Sequence, residues 1–376
     1  MRVAIIGGGS SAHLLAVLLS GSGHCVRILT SRPAEWSSRL LLQVQDEYME
    51  GAVELCSNDP DVVLKGAQVA FLCMPVHQYG SALKKIMPAL VGNGCIVGAM
   101  YGQGGFDWMV RAEARRIGVS VPRYFMLGLL PWIVRTVEYG HKAIYYGSNV
   151  INAIATSNIR DYEFLQMNIL DDLGYNQWGR GKFERVPNFI TLTLTVDNQI
   201  IHPSRCHALM TSRKEWREQQ DIPLFYRDWD DESSALLSGV DADYSLVRAK
   251  LFGLVPSLRN KYDFSWLALQ EWAYQEIVTG IRSFFVEAES LRCIRTPIVW
   301  GRDGLYGLDV NHRFFKDDFA YGLEICEWFA KMLKCDVPYV SRLMEWYRRE
   351  IRPLQRVEIS SGTPSAYGMT LEDAII

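Results

Sequence analysis

The chain has 376 residues, of which 49% are hydrophobic, so it is long enough to form two domains with separate cores. Its 39 basic and 42 acidic residues give a net charge of −3, which offers neither a basic footprint for nucleic acid nor an acidic tail. The longest apolar run, "YFMLGLLPWIV", is too short and too interrupted to span a bilayer. We therefore expect small-molecule partners, with no nucleic acid and no membrane.

Eight cysteines are scattered along the chain without a C-x-x-C pair or a zinc-finger spacing, at positions 25, 56, 73, 95, 206, 293, 326 and 335. Isolated thiols of this kind are typical of proteins in a reducing compartment. The N-terminal sequence also lacks the basic and apolar regions of a secretory signal. These features predict a cytoplasmic protein without a metal site.

The first elements alternate between strand and helix. "RVAII", residues 2–6, is an apolar run that leads into three glycines, "SSAHLLAVLLSGSG" has apolar residues at helical spacing, and "HCVRILT" follows as a strand. "AQVAFLCMP" and "GCIVGAM" are nearly continuous apolar segments, as expected for buried parallel strands. This order predicts a doubly wound parallel sheet of the Rossmann type.

The glycine-rich turn after the first strand has the pattern G-x-G-x-x-A, formed by Gly7, Gly9 and Ala12. The first glycine permits a tight turn, the second lets the backbone approach a pyrophosphate, and the small third residue lets helix and strand pack closely. The free N–H groups of the helix N-terminus would hold the phosphates. We expect a dinucleotide here, with Ser10 among the residues that contact it.

The end of the second strand indicates which dinucleotide is preferred. NAD-binding proteins usually place an acidic residue there, whereas this chain has Ser31 and Arg32, with no carboxylate before Glu35. An arginine can pair with a 2′-phosphate through its planar guanidinium. The sequence therefore favours NADP(H); NAD(H) stays open, because Arg32 could also be a solvated loop residue.

Two later loops follow predicted strands at the carboxyl edge of the sheet. "CMPVH" contains Cys73 and Pro75, and "YGQGG" contains Gln103. We expect these three residues to lie near the nicotinamide half of the cofactor. His77, in the first of these loops, has the chemistry of a catalytic acid, but a packing or capping role is favoured.

The composition and the hydrophobic pattern of the sequence change in its second half. "HKAIYYGS" and "NVINAIAT" are the last strand candidates of the α/β half, and the later segments are amphipathic and rich in tryptophan and tyrosine. The sequence therefore predicts a Rossmann domain over residues 1–182 and a mainly helical substrate domain over residues 183–376.

The helical half contains candidates for proton transfer and anion binding. A histidine titrates near neutral pH, and His202 in "NQIIHP" is such a candidate, although a histidine before a proline is often only a loop or cap residue. Arg313 and Asp318 stand five residues apart in "DVNHRFFKDDFAYGL". A histidine, an aspartate and an arginine together could polarise the carbonyl of a 2-oxo acid.

Ordered blocks along the whole chain resemble the octopine/nopaline (opine) dehydrogenase family. The blocks are "GGGSSAH", "LPWIVR", "NQIIHP", "LDVNHRFFKDDFAYGL" and "SGTPSAYGMTLEDAI". The resemblance implies a Rossmann domain followed by a helical opine dehydrogenase domain. It also implies that His202 is the acid/base, that Asp318 orients it, and that Arg313 and Asn198 belong to the same site. One departure is that Lys316 and Asp317 replace the family's usual Thr-Glu, which leaves two adjacent aspartates to choose between.

The resemblance implies a reductive condensation of an amino acid with a 2-oxo acid, pyruvate by default, through an imine to a secondary amine dicarboxylate. Arg135 in "LPWIVR" could bind substrate or cofactor, or form an ion pair. The acidic run over residues 227–234 could bind a cationic amine or cap a helix. Alternatives are an NADP-dependent ketone reductase that uses no amine and a nucleotide-binding sensor without turnover. The sequence is compatible with a homodimer but does not determine the oligomeric state.

Overall fold

The computed structural model describes residues 1–212, 215–292, 294–301 and 304–376, and Cys293 lies outside these described residues. The chain forms two compact units, Met1–Thr193 and Leu194–Ile376. The boundary between the two units lies after residue 193, whereas the sequence predicted it after residue 182. None of the described helices is both long enough and apolar enough to cross a membrane.

Residues 1–193 are all described and combine strands with helices. The strands are β1 (Arg2–Ile6), β2 (Cys25–Leu29), β3 (Arg39–Val44), β4 (Glu47–Ala52), β5 (Leu55–Ser57), β6 (Val69–Leu72), β7 (Ile96–Ala99), β8 (Tyr124–Leu127), β9 (Trp132–Glu138), β10 (Lys142–Ser148), β11 (Ile151–Thr156) and β12 (Lys182–Arg185). The helices are α1 (Ser10–Gly21), α2 (Pro60–Leu64), α3 (Tyr79–Asn93), α4 (Phe106–Ile117), α5 (Ile159–Leu165), α6 (Tyr175–Trp178) and, across the division, α7 (Phe189–Leu194).

The main sheet has the strand order β12-β11-β8-β7-β6-β1-β2-β5. Taken in chain order, β1, β2, β5, β6, β7 and β8 are parallel and lie in the spatial order 3-2-1-4-5-6 of a dinucleotide-binding sheet. The predicted Rossmann sheet is confirmed; the predicted strand "NVINAIAT" is β11, which runs antiparallel to β8. Because β12 pairs with β11, the residues just after position 182 belong to the first unit.

A second sheet, with the order β4-β3-β10-β9, packs on the other side of α1. Residues 12–19 of α1 are all buried, as expected for a helix that is apolar on every face. Gly51 of β4 fits closely against the helix, because a Cβ there would lie 2.5 Å from the Cα of Val17. The segment "HKAIYYGS" is a strand, as predicted, but it is β10 of this second sheet and not part of the parallel one.

The second unit is mainly helical, as predicted. Its described helices are α8 (Asn198–Ser212), α9 (Asp231–Leu254), α10 (Trp266–Tyr274), α11 (Ile281–Glu287), α12 (Arg313–Lys316), α13 (Glu324–Leu333), α14 (Pro338–Trp346) and α15 (Leu371–Ile375). The strands β13 (Glu215–Trp216), β14 (Ile298–Trp300) and β15 (Tyr306–Leu308) form a small antiparallel sheet. α9 packs against α8, α13 and α14 and so forms the centre of this unit.

Candidate active site

Helix α8 carries His202 in its second turn, inside the helix and not at its end. Pro203 follows within the same helix, where it removes one backbone donor, the N–H that would otherwise bond to the carbonyl four residues earlier. The His202 side chain is completely buried. Because residues four apart lie on one face of a helix, Asn198 is one turn before His202 on the same face.

Both ring nitrogens of His202 have polar partners. Nδ1 lies 2.7 Å from Oδ2 of Asp318, and Nε2 lies 2.9 Å from the hydroxyl of Tyr226. The ring stacks on Phe314, with centroids 3.6 Å apart and planes 20° from parallel. A carboxylate on Nδ1 fixes the ring orientation and makes Nε2 the nitrogen that exchanges a proton.

Asp318 follows the short helix α12 and precedes a π-helical turn, Phe319–Leu323. Burial raises its pKa well above the ordinary value for an aspartate; the charge of Arg313 acts in the opposite direction, and Asp317 raises the pKa further. A carboxylate with increased proton affinity is a strong acceptor for Nδ1–H and raises the basicity of the imidazole. Of the two adjacent aspartates, Asp318 is the one that contacts Nδ1 of His202.

Arg313 is the first residue of α12. The helix begins after His312, whose Nδ1 accepts a hydrogen bond from the backbone N–H of Phe314. The guanidinium carbon of Arg313 lies 5.1 Å from the centroid of the Phe314 ring, the same ring that stacks on His202. Together with its effect on the Asp318 pKa, this contact puts a permanent positive charge next to the His202–Asp318 pair.

Arg135, the other predicted substrate-binding arginine, belongs to the first unit. It lies in β9 of the first unit, where its side chain is exposed and its Nη1 donates a hydrogen bond to the backbone carbonyl of Val134.

The glycine-rich turn of the first unit has the geometry that a dinucleotide requires. Gly7 has φ of +117°, which favours glycine, and a Cβ at this position would lie 2.5 Å from the carbonyl oxygen of Cys73. The ends of β1 and β6 therefore approach each other closely at the point where the strand order reverses. Burial raises the pKa of the Cys73 thiol, so this cysteine stays protonated.

The N-terminus of α1 follows this turn. Gly9 is the N-cap residue, no side chain caps the helix, and its first turn contains no acidic residue. The backbone N–H of buried Ala12 bonds to the carbonyl of Gly9. Ser10 contacts the Thr136 side chain, with 3.1 Å between the hydroxyl oxygens. An uncapped, carboxylate-free helix N-terminus suits a pyrophosphate, so these residues fit the predicted cofactor.

Ser31 and Arg32 lie after β2, and both are exposed. The guanidinium of Arg32 stacks 3.7 Å above the ring of Tyr139 and forms a 3.0 Å ion pair with Glu35. Both side chains of that pair are about half exposed, and such surface pairs contribute little to stability, so Glu35 does not hold Arg32 strongly.

The later loops follow their strands as predicted. Pro75 comes three residues after β6, and Gln103 four residues after β7. Gln103 is fully buried and accepts a 2.5 Å hydrogen bond from the hydroxyl of Tyr101.

The acidic run over residues 227–234 is accounted for by helix capping and an internal ion pair. Asp230 is the N-cap of α9 and accepts a hydrogen bond from the backbone N–H of Ser233. Its other oxygen lies 2.6 Å from Nη1 of Arg205, a buried side chain of α8. The structure therefore supports the capping interpretation of Asp230 over recognition of a cationic amine.

Two tyrosines that the sequence did not single out lie next to predicted site residues. Tyr226 contacts Nε2 of His202, and Tyr139 contacts Arg32 and packs against Gly8. Tyr226 stands directly before the acidic run, but nothing in its spacing from His202 indicates contact. Tyr139 comes from the turn between β9 and β10, in a sheet that the sequence did not predict.

Comparison with protein families gives two matches. Residues 185–349 match the family described as NAD/NADP octopine/nopaline dehydrogenase, alpha-helical domain. Residues 2–100 match the family described as NADP oxidoreductase, coenzyme F420-dependent. Two relatives align with the whole chain and 98% of their own length: opine dehydrogenase of Haliotis discus hannai at 23% identity and octopine dehydrogenase of Mizuhopecten yessoensis at 22%.

Solved structures show the same fold. Octopine dehydrogenase with NADH and L-arginine has a TM-score of 0.78 at 18% identity, covering 98% of this chain and 96% of that one. The complex with NADH and pyruvate has a TM-score of 0.78 at 18% identity, with coverage of 99% and 97%. Yersinopine dehydrogenase with NADP⁺ has a TM-score of 0.64 at 14% identity, with coverage of 93% and 90%.

Proposed function

We propose that the chain is a member of the opine dehydrogenase family and catalyses the NAD(P)H-dependent reductive condensation of an amino acid with a 2-oxo acid. The product would be a secondary amine dicarboxylate. The observation that carries the proposal is the buried contact of 2.7 Å between His202 Nδ1 and Asp318 Oδ2, with the charge of Arg313 beside it. This arrangement supplies a proton-exchanging group and a cation, the two elements that carbonyl and imine chemistry need.

In the proposed reaction His202 handles protons at two steps. It first accepts a proton from the substrate ammonium, so that the free amine can attack the carbonyl carbon. It then returns that proton to the hydroxyl of the carbinolamine, which leaves as water and gives the imine. Asp318 stabilises the imidazolium between these steps, because its carboxylate accepts Nδ1–H in a dry environment.

Substrate binding is assigned to three residues. Arg313 has a planar guanidinium that can hold the carboxylate of the oxo acid with two parallel hydrogen bonds. Asn198 lies on the His202 face of α8 and has an amide that can donate to a substrate oxygen. Arg135, exposed on β9, is kept as a second candidate for carboxylate binding.

NADP(H) is the proposed preferred cofactor, and NAD(H) is the alternative. Residues assigned to it are Gly7, Gly9, Ser10, Ala12, Ser31, Arg32, Cys73, Pro75 and Gln103. The support for NADP(H) is that an arginine, not an acidic residue, follows β2. Related structures hold either NADH or NADP⁺, so the family itself does not decide the preference. When bound, the reduced nicotinamide supplies the hydride that reduces the imine.

Pyruvate is the proposed oxo acid, because a related octopine dehydrogenase was solved with pyruvate. The amine is proposed only as an amino acid, since the relatives are named for different opines.

The test is oxidation of NADPH and, separately, NADH, followed at the nicotinamide absorbance. Pyruvate or 2-oxoglutarate is supplied alone and then with a panel of amino acids. We expect oxidation to require both the oxo acid and an amino acid. Oxidation with the oxo acid alone would identify a ketone reductase, and cofactor binding without any turnover would favour a nucleotide sensor.

A further inference from the structure

The surroundings of His202 leave unexplained how its proton reaches a substrate in the proposed reaction. A general acid/base must exchange a proton with a substrate atom, yet the His202 side chain is completely buried. One face of its ring is covered by Phe314, with centroids 3.6 Å apart. Nδ1 is engaged by Asp318, and Nε2 faces the hydroxyl of Tyr226 at 2.9 Å. The Tyr226 hydroxyl thus stands where a proton-exchanging substrate atom would have to come.

The side chain of Tyr226 is held by aromatic contacts. Its ring stacks on Phe285, with centroids 5.4 Å apart and planes 24° from parallel, and meets Phe225 edge to face at 5.0 Å. The residue as a whole is 6% exposed, so its surroundings are mostly formed by protein, but it is less enclosed than His202. Packing on two rings fixes the direction of the C–O bond.

The backbone around Tyr226 is fixed by Arg205, which lies three residues after His202 on α8. Its Nε donates a 3.0 Å hydrogen bond to the carbonyl of Phe225, and its Nη2 donates one of 2.7 Å to the carbonyl of Asp228. Arg205 therefore holds the chain on both sides of Tyr226. One helix thus carries both the histidine and the residue that positions the tyrosine next to it.

From this juxtaposition we propose that Tyr226 is a catalytic residue whose hydroxyl carries the proton between His202 Nε2 and the substrate. The inference rests on the function proposed above. In the dehydration step the Tyr226 O–H bond breaks as its proton passes to the departing hydroxyl, and the tyrosine oxygen takes the proton from Nε2–H of His202. Deprotonation of the ammonium uses the same path in reverse. The tyrosine is neutral before and after each transfer.

The test uses Tyr226→Phe, which keeps the ring and its contacts with Phe285 and Phe225 and removes only the hydroxyl. General acid/base groups contribute about 10²- to 10⁴-fold, so we expect kcat to fall by at least about 100-fold. The KM for NADPH should stay within about twofold, because the assigned cofactor residues lie in the first unit. The solvent deuterium isotope effect on kcat should change as well, which a loss of packing alone would not cause.

Tyr262→Phe is the matched control. Tyr262 is also buried in the second unit, and its hydroxyl has no hydrogen-bond partner among the described residues. This variant should keep the wild-type kcat, and the melting temperature of both variants should show that they are folded.

Different outcomes would contradict the proton transfer through Tyr226, here called the relay, and the proposed function. If wild type turns over with oxo acid and amine and Tyr226→Phe retains its kcat and isotope effect, the relay is wrong and the proposed function stands. An increase in kcat in the variant would show instead that Tyr226 blocks His202. If wild type reduces the oxo acid without an amine, the condensation is wrong, while loss of that reduction in Tyr226→Phe would still support the relay. A wild-type protein without any turnover contradicts both.

Discussion

His202 Nδ1 and Asp318 Oδ2 lie 2.7 Å apart, although 116 positions separate the two residues in the chain. Both side chains are buried. A buried carboxylate on Nδ1 holds the imidazole in one tautomer and stabilises its protonated form. Asp318→Asn preserves the size of the side chain but removes the charge, so we expect kcat for NADPH oxidation to fall roughly 10³- to 10⁴-fold.

Cofactor binding serves as the control for Asp318→Asn. The assigned dinucleotide residues lie in the first unit, so nicotinamide fluorescence should give a Kd for NADPH within about twofold of wild type. A variant that binds NADPH normally and retains most of its kcat would show that Asp318 does not support His202 in the reaction.

Arg32 is expected to set the preference between the two dinucleotides. A hydrogen bond to a charged group is worth about 1.5–3 kcal/mol, so Arg32→Ala should raise the KM for NADPH roughly 10- to 100-fold. The KM for NADH, which has no 2′-phosphate, should change by less than about threefold. Arg39, an exposed arginine of β3, provides the control substitution Arg39→Ala. Equal effects of Arg32→Ala on both cofactors would contradict a 2′-phosphate contact.

The parts of the fold that the sequence predicted are those encoded by local patterns. β1, β2, β6 and β7 are short apolar runs that end at a polar residue, a glycine or a proline, and each is found where it was predicted. The second sheet was not predicted as a sheet, although "HKAIYYGS" was predicted as a strand, because its strands find their partners through long-range pairing, such as β3 with β10.

In the candidate site, too, the sequence predicted what local features encode and missed what depends on long-range contacts. Chemistry and resemblance selected His202, Arg313 and Asp318, because each type of side chain has a recognisable role. Tyr226 could not be selected in this way, because its position depends on Arg205 holding a loop that follows α8. Contacts of this kind result from packing between elements, which spacing along the chain does not encode.

Replacing a glycine of the glycine-rich turn tests whether the turn needs the backbone conformation of glycine. In Gly7→Ala the new Cβ would have φ of +117° and lie 2.5 Å from the Cys73 carbonyl oxygen, so β1 and β6 would have to move apart. We expect the free energy of unfolding to fall by about 1–3 kcal/mol and NADPH binding to be lost. Gly21→Ala is the matched control, since its Cβ position has open space beyond the backbone of its own helix. Urea denaturation of Gly21→Ala should agree with wild type to within about 1 kcal/mol.

The buried side chain of His207 should make the stability of the fold depend on pH. Burial, with a smaller contribution from Arg342, lowers its pKa from 6.5 to about 4. Between these values the unfolded chain binds a proton that the folded protein does not bind, so His207 makes the free energy of unfolding fall as the pH falls from 6.5 to about 4. Above pH 6.5 this contribution is fully present.

Buried carboxylates act in the opposite direction, because burial raises the pKa of Asp107 and of Asp197 to about 6. The measurement is therefore the difference between wild type and His207→Phe, which keeps an aromatic ring against Trp346 but cannot titrate. We expect urea denaturation to show wild type losing stability relative to the variant by up to about 1.4 kcal/mol per pH unit below pH 6.5. A difference that is constant from pH 7.5 to 4.5 would mean that His207 is protonated equally in the folded and unfolded states.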